Sequence, residues 1–108
     1  RLNEILSQSV FDKIIISGGP SSVYKKDLGL SGLIVKKIKD DGGIPLLGIC
    51  FGHQLIAHIF DGVVEKGSSA EYGFSQISID EPGRILKGIP RKFKAWVSHY
   101  DEVKKIPR

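Results

Sequence analysis

The chain has 108 residues, of which 41% are hydrophobic and 26% are charged, and its net charge is +4. This length and composition predict one small folded domain and exclude a disordered chain. The sequence has no run of about 18 uncharged apolar residues and no apolar signal-peptide core, so it predicts no transmembrane helix and no membrane partner. The single cysteine, Cys50, excludes an internal disulfide and a multi-cysteine zinc site, and it favours a cytoplasmic location.

The 16 basic and 12 acidic residues make the chain mildly basic. Lysines and arginines are spread along the sequence with acidic residues between them, which indicates solvated faces. A docking surface for an acidic partner is a second interpretation. The sequence has no basic run interleaved with aromatic residues and no known reader motif, so we expect no nucleic-acid partner.

The first half of the chain alternates between predicted strands and helices. Residues 2–11 suit a helix or a loop, residues 13–17 and 45–49 are typical of buried strands, and residues 30–39 and 51–60 are typical of helices. The second strand is almost wholly apolar, which predicts a sheet covered on both faces. Strand, helix, strand and helix in this order predict a right-handed parallel crossover and an α/β fold.

Each predicted helix has an apolar face. The face of the first helix consists of Leu30, Leu33, Ile34 and Ile38. The face of the second helix consists of Leu55, Ile56, Ile59 and Phe60. The glycines that follow Asp41 predict the end of the first helix, because glycine accommodates a left-handed C-terminal turn.

Later in the chain, residues 63–65, 73–79 and 94–98 are typical of strands. Polar residues alternate with Ile77 and Ile79, so the middle strand is predicted to have one wet face. We expect these strands to form an antiparallel extension. Two parallel strands alone make a poor sheet, so we also expect the chain to be part of a larger domain, truncated at both ends.

The segment Gly48-Ile49-Cys50-Phe51-Gly52 carries the sharpest chemical signal. A cysteine between a buried strand and a helix, with glycines two residues before and after it, is typical of a nucleophile elbow. The positive end of the helix dipole favours the thiolate, and the Phe51 N–H is placed to donate to an oxyanion. The alternative is a small, buried, apolar cysteine.

Three segments in order resemble class I glutamine amidotransferases. Residues 45–54 resemble the nucleophile segment of that family, and residues 15–20 resemble its glycine-rich oxyanion turn. Residues 96–103, together with residues 71–74, resemble the branch of the family found in GMP synthase. The resemblance implies a flavodoxin-like, three-layer α/β fold with a mostly parallel sheet, of which residues 1–108 would form a part.

The resemblance also implies roles for individual residues. Cys50 would be the nucleophile that attacks the carboxamide of glutamine, and the N–H groups of Gly19 and Phe51 would form the oxyanion hole. Gly18 and Gly19 lack side chains, so their backbone can approach a ligand closely. Gln54 lies one helical turn after Cys50 and would contact the bound glutamine. The backbone of three further residues would hold the amino-acid end of glutamine: Ser98, His99 and Tyr100.

Plainer interpretations of these residues stay open. Gly18 and Gly19 also suit an ordinary turn, and Gln54 also suits a solvent-facing position on its helix. A phosphate-binding loop at residues 18–22 is disfavoured, because no G-x-x-x-x-G-K-[ST] motif is present.

The family's general base belongs to a His-x-Glu pair that this sequence does not contain. His53 and His58 lie five residues apart on one helix and do not share a face. His99-Tyr100-Asp101 has the form His-x-Asp, but its neighbours match the substrate-binding segment, so a role of His99 as the base is disfavoured. Three scattered histidines do not predict a metal site. We therefore expect these 108 residues alone to be catalytically incomplete.

The resemblance implies a glutaminase component that passes ammonia to the synthetase (ATP-pyrophosphatase) subunit of GMP synthase, which aminates XMP. We expect no cofactor on this chain, with ATP and Mg²⁺ bound by the synthetase. One alternative is a catalytically silent module for binding or regulation, which the missing His-x-Glu supports. Another is a glutaminase for a different pathway, such as anthranilate or carbamoyl phosphate synthesis, which residues 98–103 disfavour.

Overall fold

The structure, a computed structural model, describes Glu4 and residues 11–107, apart from the side chains of residues 68–70. The prediction for residues 2–11 thus lies outside the described residues except at its two positions Glu4 and Phe11. The elements in chain order are β1 (Ile14–Ile16), α1 (Gly29–Asp41), β2 (Leu46–Gly48), α2 (Phe51–Ile59), β3 (Val63–Ser78) and β4 (Lys92–Lys105). None of the described helices combines the length and the hydropathy that a membrane span requires.

The described strands form two pairs. β1 and β2 are parallel, with Ile14 opposite Leu46 and Ile16 opposite Gly48. β3 and β4 form a separate antiparallel pair. The α/β class, the parallel crossover and the antiparallel extension are therefore confirmed, although the parallel part of the sheet consists of a single pair within the described residues.

The antiparallel strands are longer than predicted. Residues 63–65 and 73–79 were expected as two strands, but one strand, β3, runs through both. β4 extends well beyond the predicted residues 94–98. Polar residues continue each strand because the partner strand supplies hydrogen bonds to their backbone, with register shifts at Val63/Val64 and Lys66/Glu71.

A small core forms between the helices, β1 and the first part of β3. Its buried residues are Ile16, Val23, Val35, Leu55, Ala57 and Val64. Three residues of the second predicted helix face also pack against this cluster: Ile56 and Ile59 of α2, and Phe60 directly after it. The second predicted helix face is therefore confirmed.

Two predictions of burial are wrong in part. α1 buries Val35 and Ile38, but Leu30 and Leu33 are exposed. The packed face of the helix is thus centred nearer to Val35 than was predicted. The parallel strand pair was expected to be covered on both faces. Ile14 packs against the core, whereas Ile15 is exposed on the opposite face, so only one face of the pair is covered by the described residues.

Close backbone contacts fix the position of α2 against the parallel strands. A Cβ placed on Gly48 would lie 2.5 Å from the backbone of Gly52. A Cβ placed on Gly52 would lie 2.1 Å from the carbonyl oxygen of Ile16. A side chain at either position would force the helix away from the strands, so both glycines are required by the packing.

We predict that Gly52→Ala lowers the free energy of unfolding by about 3 kcal/mol, because the added carbon overlaps the Ile16 carbonyl and the backbone must move. Urea unfolding followed by circular dichroism measures this change. Gly19→Ala is the matched control, since a Cβ there meets no heavy atom within 4 Å, and its stability should stay within about 0.5 kcal/mol of the unaltered protein. Equal urea midpoints for the two variants would contradict the packing described here.

Candidate functional site

The turn from β2 to α2 holds Cys50 in a strained backbone conformation. Its φ is 55° and its ψ is −112°, a combination that costs a non-glycine residue on the order of 1–3 kcal/mol. The Ile49 N–H donates to the Ile16 carbonyl at 2.9 Å, and the Gln54 N–H donates to the Cys50 carbonyl at 3.1 Å. These bonds fix the chain on both sides of the turn. The cysteine is exposed, so the interpretation of a buried apolar cysteine is wrong.

The glycine pair after β1 lies beside the thiol. A Cβ placed on Gly18 would lie 3.2 Å from Cβ and 3.9 Å from Sγ of Cys50. Gly19 borders the same cavity as Cys50 and has open space where a side chain would be. A carbonyl group that approaches the sulfur would therefore meet glycine backbone and no side chain at these two positions.

A cavity of about 320 Å³ opens over the thiol, at the lower end of the range for small-molecule sites, roughly 300–1,000 Å³. The structure brings six of the predicted site residues to its wall: Gly19, Cys50, Gln54, Ser98, His99 and Tyr100. The Phe51 side chain instead packs against the core. The Phe51 N–H belongs to the first turn of α2, where N–H groups have no partner within the helix.

Two side chains, one just before α2 and one within it, contact β4 across this cavity. The Cys50 Sγ lies 3.9 Å from the Ser98 carbonyl oxygen. The Gln54 side chain is only 8% exposed, and its Nε2 donates to the Asp101 carbonyl oxygen at 3.0 Å. The interpretation of Gln54 as a solvent-facing residue is therefore wrong. Its side chain connects α2 to the antiparallel hairpin that β3 and β4 form.

Sequence reasoning missed several residues of the cavity wall, including Tyr72. Tyr72 lies opposite Ser98 in the strand register, and its ring meets the ring of Tyr100 edge-on at 5.6 Å between centroids. The pKa of Tyr72 is raised above its usual value, mainly by a hydrogen bond with Tyr100 and to a smaller extent by partial desolvation. The only sequence signal for Tyr72 is its place in residues 71–74, which does not reveal its strand partner.

The three histidines have different surroundings. The His58 ring meets the Tyr24 ring edge-on at 5.2 Å. His53 borders a second opening of about 410 Å³ that also reaches Cys50. The ring of His99 lies between Glu71 and the Asp101 backbone. Among Glu4 and residues 11–107, no group of three or more His, Cys, Asp or Glu side chains is arranged to hold a metal ion.

Comparison with known sequences gives a consistent result. Residues 1–108 match the family model described as "Glutamine amidotransferase class-I". The chain is 44% identical over 99 residues to a subunit of glutamine-hydrolyzing GMP synthase from Saccharolobus solfataricus, covering 90% of the chain and 50% of that relative. It is 48% identical over 94 residues to the same subunit of Pyrococcus abyssi, covering 87% of the chain and 48% of that relative. The chain thus spans about half the length of these relatives.

Two solved structures have a similar fold. A Thermoplasma acidophilum protein described as a GMP synthase subunit superposes with a TM-score of 0.78 and 32% identity, covering 94% of this chain and 50% of that one. A glutamine amidotransferase of Thermotoga maritima superposes with a TM-score of 0.74 and 23% identity, covering 87% of this chain and 43% of that one. The second likeness supports the fold alone. Together they confirm the predicted fold class.

We predict that Cys50 takes up one equivalent of iodoacetamide in the folded protein, because its thiol is exposed at the cavity. Mass spectrometry after a short exposure measures the product. Cys50→Ser is the control and should take up none, since the chain has no other cysteine. Modification that requires denaturant would contradict the exposed position of the thiol.

Proposed function

The chain belongs to the class-I glutamine amidotransferase family, and on this premise we propose that it carries the nucleophile and part of the glutamine site of a glutaminase. The observation that carries the proposal is the exposed Cys50 thiol, held on a strained turn beside two glycines at the floor of a small cavity. Strain of this kind persists where the surrounding structure enforces it, and it is concentrated at functional sites.

In the proposed reaction, the Cys50 sulfur attacks the side-chain carboxamide carbon of glutamine. A C–S bond forms, and the electron pair of the C=O bond moves to oxygen. The N–H groups of Gly19 and Phe51 are assigned to that oxygen, since the first is on an open turn and the second has no partner within the helix. When the C=O bond re-forms, the C–N bond breaks and the nitrogen leaves as ammonia with an added proton. The resulting thioester is then hydrolysed by water to glutamate and the free thiol.

The β4 side of the cavity is assigned to the amino-acid end of glutamine. Gln54 lies one turn along α2 from the nucleophile and borders the cavity. The backbone of Ser98, His99 and Tyr100 forms the opposite wall. Peptide groups suit this role, because their carbonyls accept from the substrate ammonium and their N–H groups donate to its carboxylate.

The proton transfers are assigned to a base outside these 108 residues. His58 is engaged with Tyr24, and both ring nitrogens of His99 face acceptor groups of the protein. His53 borders the second opening, but Leu55 stands where the His-x-Glu pair would need a glutamate. The second opening beside Cys50 gives such a base access to the sulfur. These 108 residues alone are therefore not expected to turn over glutamine.

For the whole protein, we propose ammonia supply to a synthetase subunit that uses ATP and Mg²⁺ to aminate XMP to GMP. The similarity to relatives named as subunits of glutamine-hydrolyzing GMP synthase supports this pathway. ATP and Mg²⁺ are assigned to the synthetase, because this sequence has no Walker-type loop. A cytoplasmic location agrees with a free, exposed thiol.

We predict that Cys50→Ala, made in the full protein together with its synthetase subunit, lowers glutamine-dependent GMP formation at least a thousandfold, because the proposed thioester forms on the Cys50 sulfur. GMP formation from added ammonium should remain within about twofold, since ammonia bypasses the thiol. Steady-state assays with each nitrogen source measure both effects.

Lys37→Ala is the control for this experiment, because Lys37 forms an exposed ion pair with Asp41 on α1 and does not line the cavity over the thiol. Both activities of that variant should be unchanged. Glutamine-dependent GMP formation that survives in Cys50→Ala would exclude the proposed nucleophile. Binding of glutamine without any turnover in the unaltered full protein would instead favour the silent binding module.

A further inference from the structure

The His99 side chain is held at both ring nitrogens. Nδ1 lies 3.0 Å from the backbone carbonyl oxygen of Asp101, and Nε2 lies 2.9 Å from Oε2 of Glu71. A carbonyl oxygen only accepts hydrogen bonds, so Nδ1 carries a hydrogen. Nε2 and a carboxylate oxygen would repel each other unless a second proton lies between them. The ring is therefore held on both sides, by the Asp101 carbonyl at Nδ1 and by the Glu71 carboxylate at Nε2.

The Asp101 carbonyl oxygen is the point where the hairpin meets α2. It accepts one hydrogen bond from His99 Nδ1 and a second from Gln54 Nε2. Gln54 is buried and lies one helical turn after Cys50. A continuous set of contacts thus runs from Glu71 on β3 through His99 and Asp101 on β4 to the helix that begins after the nucleophile.

We propose that His99 is a positioning residue, which Glu71 locks so that the Ser98–Asp101 backbone stands as a fixed wall opposite Cys50. This inference rests on the proposed function, because the wall is the one assigned to the amino-acid end of glutamine. Without the Glu71 contact, the His99 ring and the Asp101 carbonyl lose their fixed orientation. The shape of the cavity then changes, while the Cys50 nucleophile stays intact.

This role differs from that of a general base. Both nitrogens of His99 are engaged with Glu71 and Asp101, so neither is available to take a proton from the thiol. The other titratable side chains on the same cavity wall are Cys50 just before α2, Tyr72 of β3, and Tyr100 and Asp101 of β4. Glu71 is itself more than half exposed, so its replacement removes a tether and leaves no buried charge behind.

The test compares Glu71→Ala, Glu71→Gln and Glu65→Ala in the full protein with its synthetase subunit. Glu71→Ala should raise the KM for glutamine about tenfold with kcat within about twofold, which is the loss expected for one charge-assisted hydrogen bond. Glu71→Gln keeps an acceptor for Nε2 and should restore most of the affinity. Glu65→Ala removes an exposed carboxylate from the same strand, outside the cavity wall, and should change neither constant.

Two further measurements do not depend on turnover. The rate of Cys50 alkylation by iodoacetamide should rise about tenfold in Glu71→Ala, because the wall beside the sulfur is released. Nitrogen-detected NMR of His99 should show a changed Nε2 signal in Glu71→Ala, whereas Nδ1 should keep its hydrogen bond to the Asp101 carbonyl in both proteins. Unchanged KM, alkylation rate and Nε2 signal in Glu71→Ala would overturn the positioning role. A changed alkylation rate and Nε2 signal in a protein that lacks glutaminase activity would keep that role and overturn the proposed function.

Discussion

Everything near the thiol depends on how closely three pieces of backbone approach one another. Gly48 of β2 meets Gly52 of α2, and Gly52 meets the carbonyl of Ile16 on β1, at separations that leave no room for a Cβ. This contact sets the angle at which the helix leaves the strand. The angle in turn forces Cys50 into its positive φ and points the sulfur outward into the cavity. Close packing between backbone segments thereby places the Cys50 sulfur where it can react.

The two halves of the chain contribute different parts of the site. The parallel strands and their helices supply the thiol, the glycine turn and the first N–H groups of a helix. The antiparallel hairpin supplies a wall of polar backbone and aromatic rings, including Tyr72 and Tyr100. Gln54 joins the halves through its bond to Asp101. Neither half encloses a substrate alone, so their relative position is as important to binding as any single side chain.

Local patterns in the sequence were sufficient to predict the first half of the fold. The β-branched run of β1, the apolar run of β2 and the glycines around Cys50 each determine a conformation through nearby residues. The nucleophile turn could be located for the same reason. Burial was predicted less well, since the exposure of Leu30 and Ile15 depends on which neighbours are present and not on helical or strand periodicity.

The second half was harder to predict because its structure depends on distant pairing. β3 continues through Lys66, where sequence alone indicates a break, because Asp101 of β4 supplies the partner backbone. The pairing of Glu71 with His99 follows a register shift that no local motif encodes. For this reason residues 98–100 could be assigned to the site by resemblance, whereas only the structure places Tyr72 on the cavity wall and Glu71 against His99.

The positive φ at Cys50 also affects how the chain tolerates change. Glycine adopts this region without a Cβ penalty, so the backbone by itself would favour glycine at position 50. The chain carries a cysteine there against that preference, and the strained backbone lowers the stability of the fold. A variant with glycine at this turn would be more stable and would have no nucleophile, so stability and reactivity place opposite demands on this residue.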